Sequence, residues 1–296
     1  MIYAEMSGSK PSELFRVDSG GQPVALTHMN DTLLARYQLT PLEEFWVEGA
    51  AGARVHSFLV KPPNFDANRR YPMILLVHGG PQGAWGEMWH YRWNAQVFAG
   101  AGYVVVMPNP RGSTGYGQRF TDEVSSDWGG KPYEDLMAVT DYAAKLPYVD
   151  FDRMVAAGGS YGGYMVNWMQ GHTNRFKAFI SHSGLFDLKS ASAETEELWF
   201  PRWEFGGMPW EAPEMHERWS PSNFVREFKT PTLVIHGELD YRVGYSQALQ
   251  YFTALQMQKV PSKLLLFPDE GHWIMKPQNT MLWYKTFLDW AGQWTK

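Results

Sequence analysis

In Met154-Val-Ala-Ala-Gly-Gly-Ser-Tyr-Gly-Gly-Tyr-Met165 an apolar run gives way to a G-x-S-x-G motif, Gly158 to Gly162, and then to a helical pattern that Trp168 and Met169 continue. Strand, motif and helix follow in the order of a nucleophile elbow, a sharp turn that lifts a serine hydroxyl above the edge of a sheet. Ser160 would then take strained backbone angles, while Gly158 and Gly162 remove side chains that would collide across the turn. The hydroxyl emerges at a helix N-terminus, where the dipole favours a developing negative charge.

The pattern extends on both sides of this motif. Residues 73–77, 103–107, 178–181, 232–236 and 263–267 are short β-branched or apolar runs. Between them lie helical spacings: Leu136, Val139, Ala143 and Leu146; Leu249, Phe252 and Leu255; Trp283, Phe287, Trp290, Ala291 and Trp294. Such alternation predicts an α/β fold, a mainly parallel sheet with helices on both faces and its chemistry at the carboxyl ends of the strands. Residues 45–47 and 55–60 read as an antiparallel pair leading into it, so 45–296 forms one unit. Residues 1–44 stand apart, with turn-rich stretches at 7–11 and 18–23 around a short lone strand at 13–17. Residues 186–225 break the alternation with Trp199, Phe200, Trp203, Phe205, Trp210 and Trp219, an aromatic excursion that either overlies the carboxyl edge or packs as a surface loop.

Composition narrows the function. The chain has 296 residues, no cysteine, and 26 basic against 31 acidic side chains for a net charge of −5, with no basic run to neutralise phosphates. A nucleic-acid partner is therefore not expected, nor disulfides or a cysteine–zinc site. The apolar runs are too short to span a bilayer and no basic-then-apolar leader opens the sequence, so it reads as a soluble, untargeted protein with no membrane partner. Nine histidines show no metal-binding spacing, and no metal or cofactor is implied.

A serine becomes a nucleophile when a histidine takes its proton and a carboxylate fixes that histidine. Here the partners should follow later strands in the order acid, then histidine. After 232–236 comes Gly237-Glu-Leu-Asp240, and after 263–267 comes Pro268-Asp-Glu-Gly-His272. Asp240 and His272 thus stand at strand ends near glycines. Glu238 could also serve, whereas Asp269 and Glu270 are too near His272 in sequence to come from the neighbouring strand end. The oxyanion donors are assigned to the backbone N–H groups of Tyr161, just after the serine, and Gly80, in the loop that follows 73–77. Leu185, Phe186 and Trp199 are candidates for an apolar substrate pocket.

With these residues in place the chain resembles the catalytic domain of the prolyl oligopeptidase family. The resemblance rests on the elbow, on His78-Gly-Gly-Pro81, Asn109-Pro-Arg-Gly-Ser-Thr-Gly-Tyr-Gly117, Asp127-Trp-Gly-Gly130 and His236-Gly-Glu-Leu-Asp-Tyr-Arg-Val243. Phe267-Pro-Asp-Glu-Gly-His272 followed by Lys276-Pro-Gln-Asn279 is similar to the acylaminoacyl-peptidase and dipeptidyl-peptidase V branch. The resemblance implies an α/β-hydrolase fold and Ser160, Asp240 and His272 as its triad. Other branches use a tyrosine side chain as oxyanion donor where this chain has His78, which favours Gly80 here. Arg242 matches the arginine that in prolyl oligopeptidase holds a substrate carbonyl. Family members carry a β-propeller ahead of the hydrolase domain, and residues 1–34 look like only the last strands of its final blade.

The function implied is a serine hydrolase that cleaves short peptides or acyl-amino acids through an acyl-enzyme, with no cofactor. A carboxylesterase acting on small esters is the alternative, and a non-catalytic binding or assembly domain is the third reading. Unpaired strand edges in residues 1–34 favour association into a homo-oligomer.

Overall fold

A computed structural model describes residues 1–296. Its strands are β1 (Ile2–Ser7), β2 (Lys10–Val17), β3 (Pro23–Ala25), β4 (Glu43–Glu48), β5 (Arg54–Val60), β6 (Tyr71–Val77), β7 (Val104–Asn109), β8 (Val149–Gly159), β9 (Ala178–His182), β10 (Thr232–Gly237) and β11 (Ser262–Phe267). β4 to β11 form one eight-stranded sheet in the order β11-β10-β9-β8-β6-β7-β5-β4. β6 to β11 run parallel, and β5 is antiparallel to both of its neighbours, β7 and β4.

The central strands are apolar without a break because both of their faces are covered. Met73, Leu75 and Val77 of β6 point to one side, where they meet Leu136 and Val139 of helix Lys131–Ala144. Ile74 and Leu76 point to the other, against Phe98, Trp283 and Phe287. Fully burying each such aliphatic side chain contributes about 1.5–3 kcal/mol. The expected helices are present at Lys131–Ala144, Tyr161–His172, Ser246–Met257 and Pro277–Thr295. None is long and apolar enough to cross a membrane.

One buried ion pair ties the far side of the sheet together. Arg111, just past β7, donates from Nε to Asp135 Oδ2 at 2.7 Å and from Nη2 to Asp135 Oδ1 at 2.6 Å. Asp135 also accepts from the backbone N–H groups of Arg111 and Ala50, so one carboxylate joins the loop after β7, the turn before β5 and helix Lys131–Ala144.

Residues 1–44 depart from the expectation of a lone strand. β1, β2 and β3 form a three-stranded antiparallel meander in which Glu13 points inward and accepts from Thr27 Oγ1 and from Asn30 N–H at 3.1 Å. β1 leaves little trace in the sequence because its residues are mostly exposed, so no period-2 burial pattern marks it. The meander is tied to the main unit by polar contacts: Gly8 N–H donates to Glu87 Oε1 at 2.8 Å, and Gln96 Nε2 donates to Gly8 O at 3.1 Å and Thr40 O at 2.7 Å.

The aromatic excursion is mainly helical, with short helices at Leu188–Glu194, Trp199–Phe205 and Pro213–Trp219. It packs over the carboxyl edge of the sheet, where Trp199, Phe200 and Phe205 share a cavity with Ser160.

Candidate active site

Ser160 joins β8 to helix Tyr161–His172 with φ 59° and ψ −122°, a backbone conformation that L-residues rarely hold without surrounding support. That support is specific. Ser160 N–H donates to His182 O at 2.9 Å, and Tyr164 N–H donates to Ser160 O at 2.9 Å. A Cβ on Gly158 would lie 2.4 Å from Gly162 O, and one on Gly162 would lie 2.1 Å from Val77 O, so the helix approaches the sheet this closely only because both residues are glycine.

Beyond β10 and β11, two loops bring a carboxylate and a histidine together. His272 Nδ1–H donates to Asp240 Oδ2 at 2.7 Å. The other carboxylate oxygen, Oδ1, accepts from the N–H groups of Arg242 at 3.0 Å and Val243 at 2.9 Å. His236 Nε2–H donates to Val243 O at 2.7 Å and lies 3.3 Å from Asp240 Oδ2. Burial opposes ionisation of Asp240, yet the hydrogen bonds from His236 and His272 hold its carboxyl well below the usual carboxylate range. Of the rival acids, Glu238 makes neither a hydrogen bond nor an ion pair with His272, whose carboxylate partner is Asp240. Glu270 accepts from the N–H groups of Met275 at 3.1 Å and Lys276 at 2.9 Å, and Asp269 pairs with Lys276, so both shape the loop that carries His272.

Ser160 and His272 open onto one cavity of about 530 Å³. No hydrogen bond joins the two side chains, an arrangement common before substrate tightens a site. Tyr161 begins its helix, so its N–H has no partner within that helix. Gly80 has φ +130°, and a Cβ there would lie 2.5 Å from Gln82 N; its N–H has no acceptor within the protein. Gly79, not singled out from the sequence, is closely packed as well, since a Cβ would stand 3.1 Å from Gly159 O and 3.2 Å from that of Ser160. His78 is held near about 4 by burial, so it is a neutral support whose Nδ1–H donates to Gly79 O at 2.8 Å.

Leu185 and Trp199 line the cavity, joined by Trp128, Phe200, Phe205 and Val243. Phe186 does not. The chain turns between the two neighbours, and Phe186 packs beneath the site with Phe228 and Tyr251 in a separate core. Arg242 lines the cavity, ion-pairs with Glu196 and Glu197 at 3.3 Å each, and lies over the Trp273 ring at 5.2 Å.

His182, at the end of β9, was not weighed from the sequence. Its carbonyl holds Ser160 N–H, while its Nε2–H donates to His272 O at 3.3 Å. Trp283 Nε1–H donates to His182 Nδ1 at 3.3 Å, which selects that tautomer. Burial first, and then the neighbouring imidazoles, lower His182 to about 3 and keep it neutral.

Comparison with known proteins agrees with this architecture. The chain is 49% identical over 260 residues to dipeptidyl-peptidase 5 of Schizosaccharomyces pombe, covering 87% of this chain and 38% of that protein. It is 41% identical over 304 residues to dipeptidyl-peptidase 5 of Porphyromonas gingivalis, covering 100% and 44%. The acylaminoacyl peptidase of Pyrococcus horikoshii superposes with a TM-score of 0.93 at 29% identity, covering 100% of this chain and 48% of that one. The chain therefore spans less than half the length of these relatives, and the match to the last includes the N-terminal meander. The fold is that of the α/β-hydrolase peptidases. Residues 89–296 match the prolyl oligopeptidase family, and the chain belongs to that family.

Proposed function

We propose that this chain is a serine peptidase that cleaves short peptides through an acyl-enzyme, with Ser160 as nucleophile, His272 as general base and acid, and Asp240 as its orienting carboxylate. The observation that carries the reading is the 2.7 Å His272–Asp240 bond opening onto the same cavity as a serine on a strained elbow. Ser160 Oγ attacks the scissile carbonyl carbon while His272 Nε2 takes its proton. Asp240 holds Nδ1–H and stabilises the imidazolium that forms. The N–H groups of Tyr161 and Gly80 receive the oxyanion. Collapse of the intermediate breaks the C–N bond, and His272 returns the proton to the leaving amine. A water molecule then repeats the sequence on the acyl-enzyme and frees Ser160.

The aromatic and aliphatic wall formed by Leu185, Trp199, Phe200 and Phe205 supports an apolar residue on the acyl side of the scissile bond. The names of the relatives, dipeptidyl-peptidase 5 and acylaminoacyl peptidase, accord with peptide amides as substrates.

Turnover of a phenylalanyl p-nitroanilide compared with p-nitrophenyl butyrate tests the assignment. Hydrolysis of the anilide, lost in Ser160→Ala, is the expected result. Hydrolysis of the ester alone would make the chain a carboxylesterase, and hydrolysis of neither would leave a binding or assembly domain.

A further inference from the structure

Arg92 lines the cavity from the segment between β6 and helix Ala95–Gly100, and its side chain is half-buried. Its guanidinium lies 5.5 Å from the centre of the Trp273 ring, the residue next to His272. Unlike Arg111 and Arg242, it has neither an ion pair nor a hydrogen bond with any residue of the chain. Among the titratable groups around it, the neutral ones do not balance its charge. Burial and Arg92 itself push His90 down to about 4, burial lifts Tyr284 to about 12, and burial holds His182 near about 3, so all three are neutral at pH 7. The cavity carboxylate Glu197 is engaged by Arg242. A partly desolvated cation with no counter-ion is costly for a protein to keep, and a ligand anion relieves that cost.

The position of Arg92 indicates which part of a substrate it meets. His272 must lie beside the leaving nitrogen to protonate it, and the next residue, Trp273, with the two rings 5.7 Å apart, has both Arg92 and Arg242 against its ring, of which only Arg92 is free of a carboxylate partner. The apolar wall comes from other elements, the loop after β9 and the helices of the aromatic excursion. One or two residues of extended chain reach about 3.4–7 Å beyond the scissile bond, which brings a terminal carboxylate within range of a flexible arginine.

We propose that Arg92 forms a carboxylate-binding subsite on the leaving-group side, so that the enzyme favours short peptides whose free C-terminal carboxylate lies one or two residues past the scissile bond. This rests on the peptidase reading above. An acidic side chain on the leaving residue offers the same chemistry, and the test separates the two sources.

Binding is measured by calorimetry to Ser160→Ala, where no turnover occurs, for Gly-Phe-Ala, its C-terminal amide and Gly-Phe-Glu amide. The free acid binds about tenfold tighter than the neutral amide, as expected for a charge-assisted contact. Adding R92Q brings that ratio close to one, and R92K keeps part of it, which also controls for misfolding. A gain with Gly-Phe-Glu amide alone assigns the subsite to acidic side chains. Equal affinity for all three peptides, or a preference that survives R92Q, overturns the proposal. The active protein is assayed in parallel: hydrolysis without acid preference sinks the subsite alone, whereas acid-selective binding without hydrolysis sinks the peptidase reading and leaves the subsite standing.

Discussion

Replacing Asp135 with leucine removes the acceptor for four N–H groups at once: Arg111 N, Nε and Nη2, and Ala50 N. Arg111 is then left inside the protein with Glu123 Oε2 at 3.2 Å and Ala50 O as its remaining partners. Breaking one half of a buried pair costs about 3–5 kcal/mol, because the surviving charge stays desolvated. With an unfolding entropy of about 2.1 cal/mol/K per residue, a chain of 296 residues should lose about 5–8 °C in Tm. Replacing both partners, Arg111→Met with Asp135→Leu, removes the stranded charge and should recover part of that loss. Differential scanning fluorimetry at one scan rate and pH 7 measures both variants. A shift below about 2 °C for the single variant, or a double variant less stable than the single one, would refute the reasoning.

Three further outcomes are expected. Unfolded imidazoles take up protons near about 6.5, whereas buried His78 waits until about 4 and His182 until about 3, so the unfolded state binds more protons between those values. The stability they contribute is complete above the unfolded value and declines as pH falls through that window; a Tm that rises on acidification from pH 7 to 5 would contradict this. His182→Leu should lower kcat about tenfold with KM nearly unchanged, because it frees the His272 carbonyl, and His182→Gln should restore part of the loss by donating again; a fall in Tm with kcat intact would mean that His182 only stabilises. The N-terminal meander exposes Ile2, Met6, Leu14, Val24 and Leu26 beside open strand edges, so the chain should self-associate at micromolar concentration in sedimentation runs. A strictly monomeric boundary would dismiss that expectation.

Much of the sheet and site was legible because function and local structure leave the same marks. Ser160, Asp240 and His272 each follow a short apolar run and sit among glycines, so motif and chain order together pointed to them as the candidate triad, while Glu238 stayed a rival acid that only the His272–Asp240 hydrogen bond disfavours. Their partners were less visible. Leu185 and Phe186 are adjacent and equally apolar, and only the turn after β9 sends one to the cavity and the other to the core. His182 acts through a carbonyl and a second histidine, and Arg111 lies buried in a Pro- and Gly-rich stretch whose pattern carries no sign of that burial. β1 has no buried stripe to announce it. The cavity wall, His182 and Arg111 depend on contacts between residues far apart in sequence, which period and propensity do not encode.

The claim at the centre of this account is that Ser160 carries the acyl group. Treating the protein with an organophosphonate that labels activated serines, then mapping the adduct by peptide mass spectrometry, tests it directly. The account predicts one adduct per chain, on Ser160, forming in step with the loss of hydrolysis and absent in Ser160→Ala. An adduct on another residue that abolishes activity, or full hydrolytic activity in Ser160→Ala, would contradict it.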